Sequence, residues 1–236
     1  MAKHDPNTIR MVEGILLLAN KYQIDHLRER LERDWPSKLI DWDVNELEIK
    51  ANKEHKQGIS LPDPCEAIRL ARRCGTPSIL PAAFYRLSRI RGISNRHMPV
   101  SLQQIMLDPN ARSVVPTTDF SLLSAQDLYC LVVGRDVILH IFERYLGDTL
   151  DEMTKPENKH STSNPDKCWK SLLKFQSKLR QEVFQNFNDP LFIMNGRDDY
   201  SSSECWVCQH VFMDLLKPKR EFIWENLPSL FMLDTK

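Results

Sequence analysis

Net charge is what the chain most plainly lacks: lysine plus arginine and aspartate plus glutamate each total 32 across its 236 residues. A protein held to nucleic acid by phosphate contacts normally shows a basic surplus or a basic face, so nucleic acid is not an expected partner. Arginines gather only locally, at Arg69, Arg72, Arg73, Arg86, Arg89, Arg91 and Arg96, which reads as the solvated face of amphipathic helices. No apolar run approaches the ~20 residues that cross a bilayer, so a membrane is not expected either. The opening MAKHDPNTIR lacks the apolar core of a signal peptide, and no Asn-x-Ser/Thr acceptor occurs. The six cysteines are scattered through a sizeable chain instead of stapling a small scaffold. Together these absences predict an intracellular protein with reduced thiols, in the cytoplasm or nucleus.

Catalytic signatures are missing as well. There is no Gly-x-Ser-x-Gly elbow, no Gly-x-x-x-x-Gly-Lys-Ser/Thr phosphate loop, no His-Glu-x-x-His and no Gly-x-Gly-x-x-Gly. The seven histidines include no i, i+4 pair. Asp151-Glu152 and Asp198-Asp199 are adjacent, so on a helix their carboxylates would diverge; both sit in polar segments and read as solvated loop. Cys65, Cys74 and Cys130 sit among apolar neighbours and read as packing, because a reactive thiol needs an electropositive, partly open setting. No catalytic residue and no cofactor-binding residue is expected.

What the chain does have is helical periodicity. In DPCEAIRLARRCGTPSILPAAFYRLSRI, Asp63 to Ile90, Asp63 caps a first helix, Pro64 suits its first position and Glu66 completes a capping-box pattern. Ile68, Ala71 and Arg72 fall on one side, with Ala67, Leu70 and Cys74 widening the apolar arc. Gly75-Thr76-Pro77 ends that helix, and Ser78 and Pro81 open a second that carries Ala82, Phe84, Tyr85, Leu87 and Ile90. Upstream, Thr8 to Asn20 places Ile9, Val12, Leu16 and Ala19 on one stripe with Ile15 and Leu18 beside it, apolar over more than half its girth. After a break at Lys21-Tyr22-Gln23, Ile24 to Arg33 continues as an amphipathic helix with Leu27 and Leu31 inward. Leu39, Ile40, Trp42 and Val44 form an aromatic patch behind Trp35-Pro36, and Asn45 to Leu61 is a polar loop.

Arg91 to Thr118 reads mostly as loop. Ser124-Ala125-Gln126-Asp127 is another capping pattern, opening a helix to about Leu146 in which Gly134 is a candidate kink; a strand over Tyr129 to Val133 is the weaker reading. Lys155 to Pro165 is a linker by composition, followed by a helix from Asn164-Pro165 to about Phe187. A short turn opens at Asp189-Pro190, and further helices span Ser201 to Leu216 and Arg220 to Leu227. The expected fold is all-α, an irregular multi-helix bundle with long loops.

LLLANKYQIDHLRERLERDWP resembles the last helix pair of BTB/POZ domains, above all those of a large fungal set, through Leu18, Ala19, Lys21, Tyr22, Leu27 and Arg28. Trp35-Pro36 with Trp42-Asp43, Ala67-Ile68-Arg69-Leu70-Ala71-Arg72 and Pro77 to Tyr85 resemble the helical, BACK-like tail of such proteins. Asp189-Pro190-Leu191, Cys205-x-x-Cys208 and Arg220 with Trp224 ahead of Leu227-Pro228 are similar to the end of that tail. The strands and helices of a BTB front half are not in the sequence, so no residues of its dimer interface carry over. The resemblance implies terminal BTB-type helices and a Trp-rich junction over residues 1–44, a BACK-like region over 45–150, a linker over 151–166 and a C-terminal helical region over 167–236. It also implies protein–protein interaction, in an adaptor or assembly role, without catalysis. An N-terminal helix this apolar is expected to leave an exposed patch that drives self-association or binds a protein partner.

Cys205-Trp206-Val207-Cys208-Gln209-His210, with Cys168 upstream, is the one arrangement with metal-ligand spacing. Thiolates at this interval suit tetrahedral zinc, and His210 or Cys168 would add ligands. A second close cysteine pair is missing. Cys205, Cys208, Phe212 and Leu215 also read as an apolar helical stripe, and on that reading no metal is expected. The alternative is a small zinc-stabilised regulatory domain built on Cys168, Cys205 and Cys208.

Overall fold

The computed structural model describes residues 8–26, 29, 63–90, 118–155, 165–184, 189–196 and 205–233. Leu27, Leu31, the Trp35–Trp42 patch, the polar stretch before Leu61, residues 91–117 and most of the linker lie outside these. Among the described residues there are eight α-helices and no strand, as an all-α fold requires. They are α1 (Thr8–Lys21), α2 (Pro64–Cys74), α3 (Leu80–Ser88), α4 (Ala125–Glu152), α5 (Pro165–Phe184), α6 (Pro190–Ile193), α7 (Trp206–Glu225) and α8 (Leu227–Leu230). The chain divides into two compact units, one of Met1–Val133 with Phe231–Lys236 and one of Gly134–Leu230.

In the first unit, local chemistry sets the ends of α2. The Asp63 carboxylate accepts from the Cys65 N–H at 2.7 Å, and Pro64 stands where a missing N–H costs nothing. Gly75, at φ 61°, supplies the left-handed cap and returns its N–H to the Ala71 carbonyl. Pro77–Ile79 then makes one 3-10 turn before α3. Cys65, Ala67, Ile68, Leu70, Ala71 and Cys74 are all buried, and so are Phe84, Tyr85 and Leu87 of α3. Full burial of a side chain such as Ile68 or Leu70 stabilises by ~1.5–3 kcal/mol. The Phe84 ring meets Phe231 at a centroid distance of 5.5 Å.

Charge fixes the neighbours of α2. Glu13 of α1 pairs with Arg69 and Arg73. Arg72 sets its guanidinium against the buried Asp127, with Nε and Nη2 donating to Oδ1 at 3.1 and 3.0 Å. Asp127 also serves the start of α4: its Oδ2 accepts from Ser124 Oγ at 2.6 Å, while Ser124 Oγ accepts from the Asp127 N–H at 3.1 Å. This is the reciprocal capping box expected from the sequence.

In the second unit α4 buries Ile138, Phe142, Leu146 and Thr149, a stripe three or four residues apart that Met153 continues just past its end. The strand reading of Tyr129 to Val133 does not hold: those residues are helical, and α4 runs through Gly134 and past Leu146 to Glu152. Its far end earns that extra length from partners. Gln176 Nε2 donates to the Leu146 carbonyl at 3.0 Å, and Lys219 Nζ reaches Thr149 Oγ1 at 2.7 Å and Glu152 Oε1 at 2.8 Å. Arg180 pairs with Glu143, and the Phe142 and Phe184 rings lie 6.2 Å apart.

The two expected helices around Pro218 are one. Proline removes an N–H and crowds the preceding turn, at about 3 kcal/mol. Here it occupies an exposed position, while Phe212, Leu216, Arg220 and Ile223 keep one buried face on either side. Continuity of that face outweighs the lost bond. Arg220, itself buried, donates from Nε to the Leu191 carbonyl of α6 at 2.6 Å, so a short helix and a long one share a hydrogen bond away from water.

Candidate functional site

Three thiols of the second unit come together. Cys168 lies in the first turn of α5, Cys205 caps α7 and Cys208 lies in its first turn. Their sulfur atoms all lie within 4.8 Å of one another. Two helices bring this about. Seven residues beyond Cys168 and seven beyond Cys205, the rings of Phe175 and Phe212 meet edge-to-face at 5.9 Å. Contacts at matching distances along both helices mean that α5 and α7 run in the same sense, first turns side by side. Leu172 and Leu179 of α5, with Leu216 of α7, are buried along the same stretch.

The environment separates the thiols. Burial pushes Cys208 up to about 12, and the hydrogen bond and charge of Cys205 and Cys168 push in the same direction. Burial also raises Cys205, but hydrogen bonds from the Cys208 backbone, from the Cys168 and Cys208 thiols and from the Val207 backbone outweigh it and hold this thiol below its ordinary value. Two helix N-termini meet here, and the positive ends of their dipoles favour negative charge. The arrangement suits a shared thiolate cluster, a soft donor set facing one point.

Of the residues with ligand potential in the sequence, Cys168 joins the pair and His210 does not. The imidazole is 71% exposed and lies 3.7 Å from Asp214 Oδ2, one turn along α7. The stripe of Cys205, Cys208, Phe212 and Leu215 holds in part: Cys208 and Phe212 are buried, Cys205 and Leu215 are half-buried, and Leu216 is the buried leucine. Cys65, Cys74 and Cys130 are buried as expected. Burial first, then the Asp63 and Asp119 carboxylates, push Cys65 up to about 12, the opposite of an activated nucleophile. Asp151-Glu152 is not a loop but the end of α4, where Lys219 engages Glu152; Asp198-Asp199 lies outside the described residues.

A different feature belongs to the first unit. Helix α1 buries Val12, Leu16 and Ala19 but exposes Ile15, Leu18 and, just past its end, Tyr22 at 41%, 56% and 63%. These positions follow i, i+3, i+7 and so share one face. Exposed apolar side chains therefore share one face of α1, whereas the side chains of Ile9, Leu27, Leu31 and Trp35 lie outside the described residues. Among the described residues no helix is long and apolar enough to cross a membrane. No protein-family model matches the chain, and no curated protein or solved structure matches it either.

Proposed function

We propose that the chain is a non-catalytic, intracellular protein-interaction module of BTB type, acting in assembly, and that α1 is its contact surface. The observation that supports this reading is the exposed stripe of Ile15, Leu18 and Tyr22 on a helix whose other face is committed to the first unit. Large apolar side chains grouped on one helical face mark contact surfaces, whereas single scattered ones do not. The occupant we assign to the stripe is a second copy of this chain. An isologous pairing sets the same face against itself about a two-fold axis and needs no complementary charge from a different partner. With a formal net charge of zero, copies also approach without long-range repulsion. The BTB-type character draws its support from the sequence around Leu18, Ala19, Lys21 and Tyr22.

Light scattering over a concentration series tests this. The parent chain is expected to associate as concentration rises, and Leu18→Glu is expected to remain monomeric with an unchanged helical dichroism spectrum. A parent chain that stays monomeric throughout, or a Leu18→Glu chain that associates as the parent does, refutes the assignment.

A further inference from the structure

We infer that Cys168, Cys205 and Cys208 bind one zinc ion, which clamps the first turn of α5 to the first turn of α7. Zinc with thiolate ligands is tetrahedral, with Zn–S of about 2.3 Å, so sulfur atoms sharing one ion stand about 3.8 Å apart. Three sulfurs already within 4.8 Å of one another need to close by no more than ~1 Å, the scale of a cysteine side-chain rotation. The backbone beneath them is set by packing that does not involve the metal, since Phe175 and Phe212 hold the two helices in register two turns further on. Such a site is organised before the ion arrives.

The donor set selects the ion. Three sulfurs and, among the described residues, no carboxylate make a soft cage that favours zinc over magnesium or calcium, which take oxygen ligands. On binding, each thiol gives its proton to solvent and each sulfur donates an electron pair to the cation. Three thiolates and one Zn²⁺ leave a cluster of net charge −1, lying where two helix N-termini present positive potential. With Cys168 and Cys205 half-buried, the fourth position of the tetrahedron faces solvent and takes water. His210 contributes nothing, being exposed and directed towards Asp214.

Cys205 and Cys208 alone would be a pair on an apolar stripe, which is ordinary packing. Convergence of the third thiol from another helix, 37 positions before Cys205 in the sequence, distinguishes the site from such a stripe. The inference does not depend on α1 or on self-association, and it survives if the chain proves monomeric.

The experiment uses the full chain purified under reducing conditions without chelator. Elemental analysis is expected to give one equivalent of zinc. Stripping with a strong chelator and adding Co²⁺ is expected to produce a thiolate-to-cobalt charge-transfer band in the near ultraviolet and visible bands of tetrahedral cobalt, both displaced by Zn²⁺. Cys168→Ser, half-exposed and tolerant of the change, is expected to lose affinity by more than the ~10–100-fold typical of losing an outer partner, with its dichroism spectrum retained. His210→Ala is expected to bind as the parent does. A parent chain that takes up neither zinc nor cobalt overturns the site. A charge-transfer band unchanged in Cys168→Ser, or abolished in His210→Ala, overturns the ligand set.

Discussion

Asp127→Ala removes a carboxylate that serves two elements at once, and its cost can be worked from the bonds it holds. Asp127 is 5% exposed and accepts from Ser124 Oγ at 2.6 Å and from Arg72 Nε and Nη2 at 3.1 and 3.0 Å. Alanine keeps the backbone bond from residue 127 to Ser124 Oγ, so only part of the cap is lost, about 1 kcal/mol. A hydrogen bond to a charged group contributes ~1.5–3 kcal/mol where water is excluded. The Arg72 side chain is 41% exposed, so its charge returns to solvent and screening reduces the fork to about 1–2 kcal/mol. The sum is a loss of about 2–3 kcal/mol, or a fall in Tm of roughly 4–12 °C for a chain of this size. Arg72→Ala should lose about 1–2 kcal/mol, because the buried carboxylate keeps only Ser124. The double variant should lose less than the two losses added, with a coupling near 1 kcal/mol. Thermal melting followed by far-ultraviolet dichroism measures all three. An Asp127→Ala chain within about 0.5 kcal/mol of the parent, or strictly additive losses, would show that the fork and the cap are not coupled.

Three further outcomes follow from the packing. Phe84→Ala, at a fully buried ring against Phe231, should cost ~3–5 kcal/mol and melt far below the parent; a parent-like melting curve places Phe84 outside the core. Pro218→Ala, on the exposed face of α7, restores an N–H and relieves the preceding turn, so it should stabilise by ~1–2 kcal/mol in the same assay; a loss would mean the proline is part of the helix design. Cys65 has a folded pKa raised from 9.0 to about 12, so its contribution to stability is fully present below pH 9 and is lost as pH rises through that interval. Urea denaturation at a series of pH values should therefore show alkaline destabilisation that is shallower in Cys65→Ala, and an identical slope in the variant would mean that this thiol titrates alike in folded and unfolded chains.

Helix caps were legible in the sequence because their chemistry is local. Asp63, Ser124 and Asp189 each accept from a backbone N–H within three residues, so a short stretch of sequence contains the whole device. The buried faces of α2 and α3 were legible for the same reason, through their 3.6-residue period. Arg72 shows where local reading stops. Its place on the apolar side of α2 was visible, but its partner Asp127 is 55 positions away, and only the fold explains why a guanidinium belongs there. Helix α7 was misread as two because Pro218 is a strong local breaker, and the packing that overrides it comes from α4, α5 and α6. At the thiol site the spacing of Cys205 and Cys208 was visible, whereas the arrival of Cys168 depends on α5 lying alongside α7. Cys168 was named beside that pair as a candidate ligand, but no local signal showed that it comes within reach of them.

Hydrogen–deuterium exchange on the full chain at low and high protein concentration tests most directly the claim that this chain works through an apolar helix face. If α1 is the contact surface, amides over residues 14–22 exchange more slowly at high concentration, while those of α5 and α7 keep the same rates. Concentration-dependent protection that falls on other helices and leaves α1 untouched, or none anywhere, would contradict it.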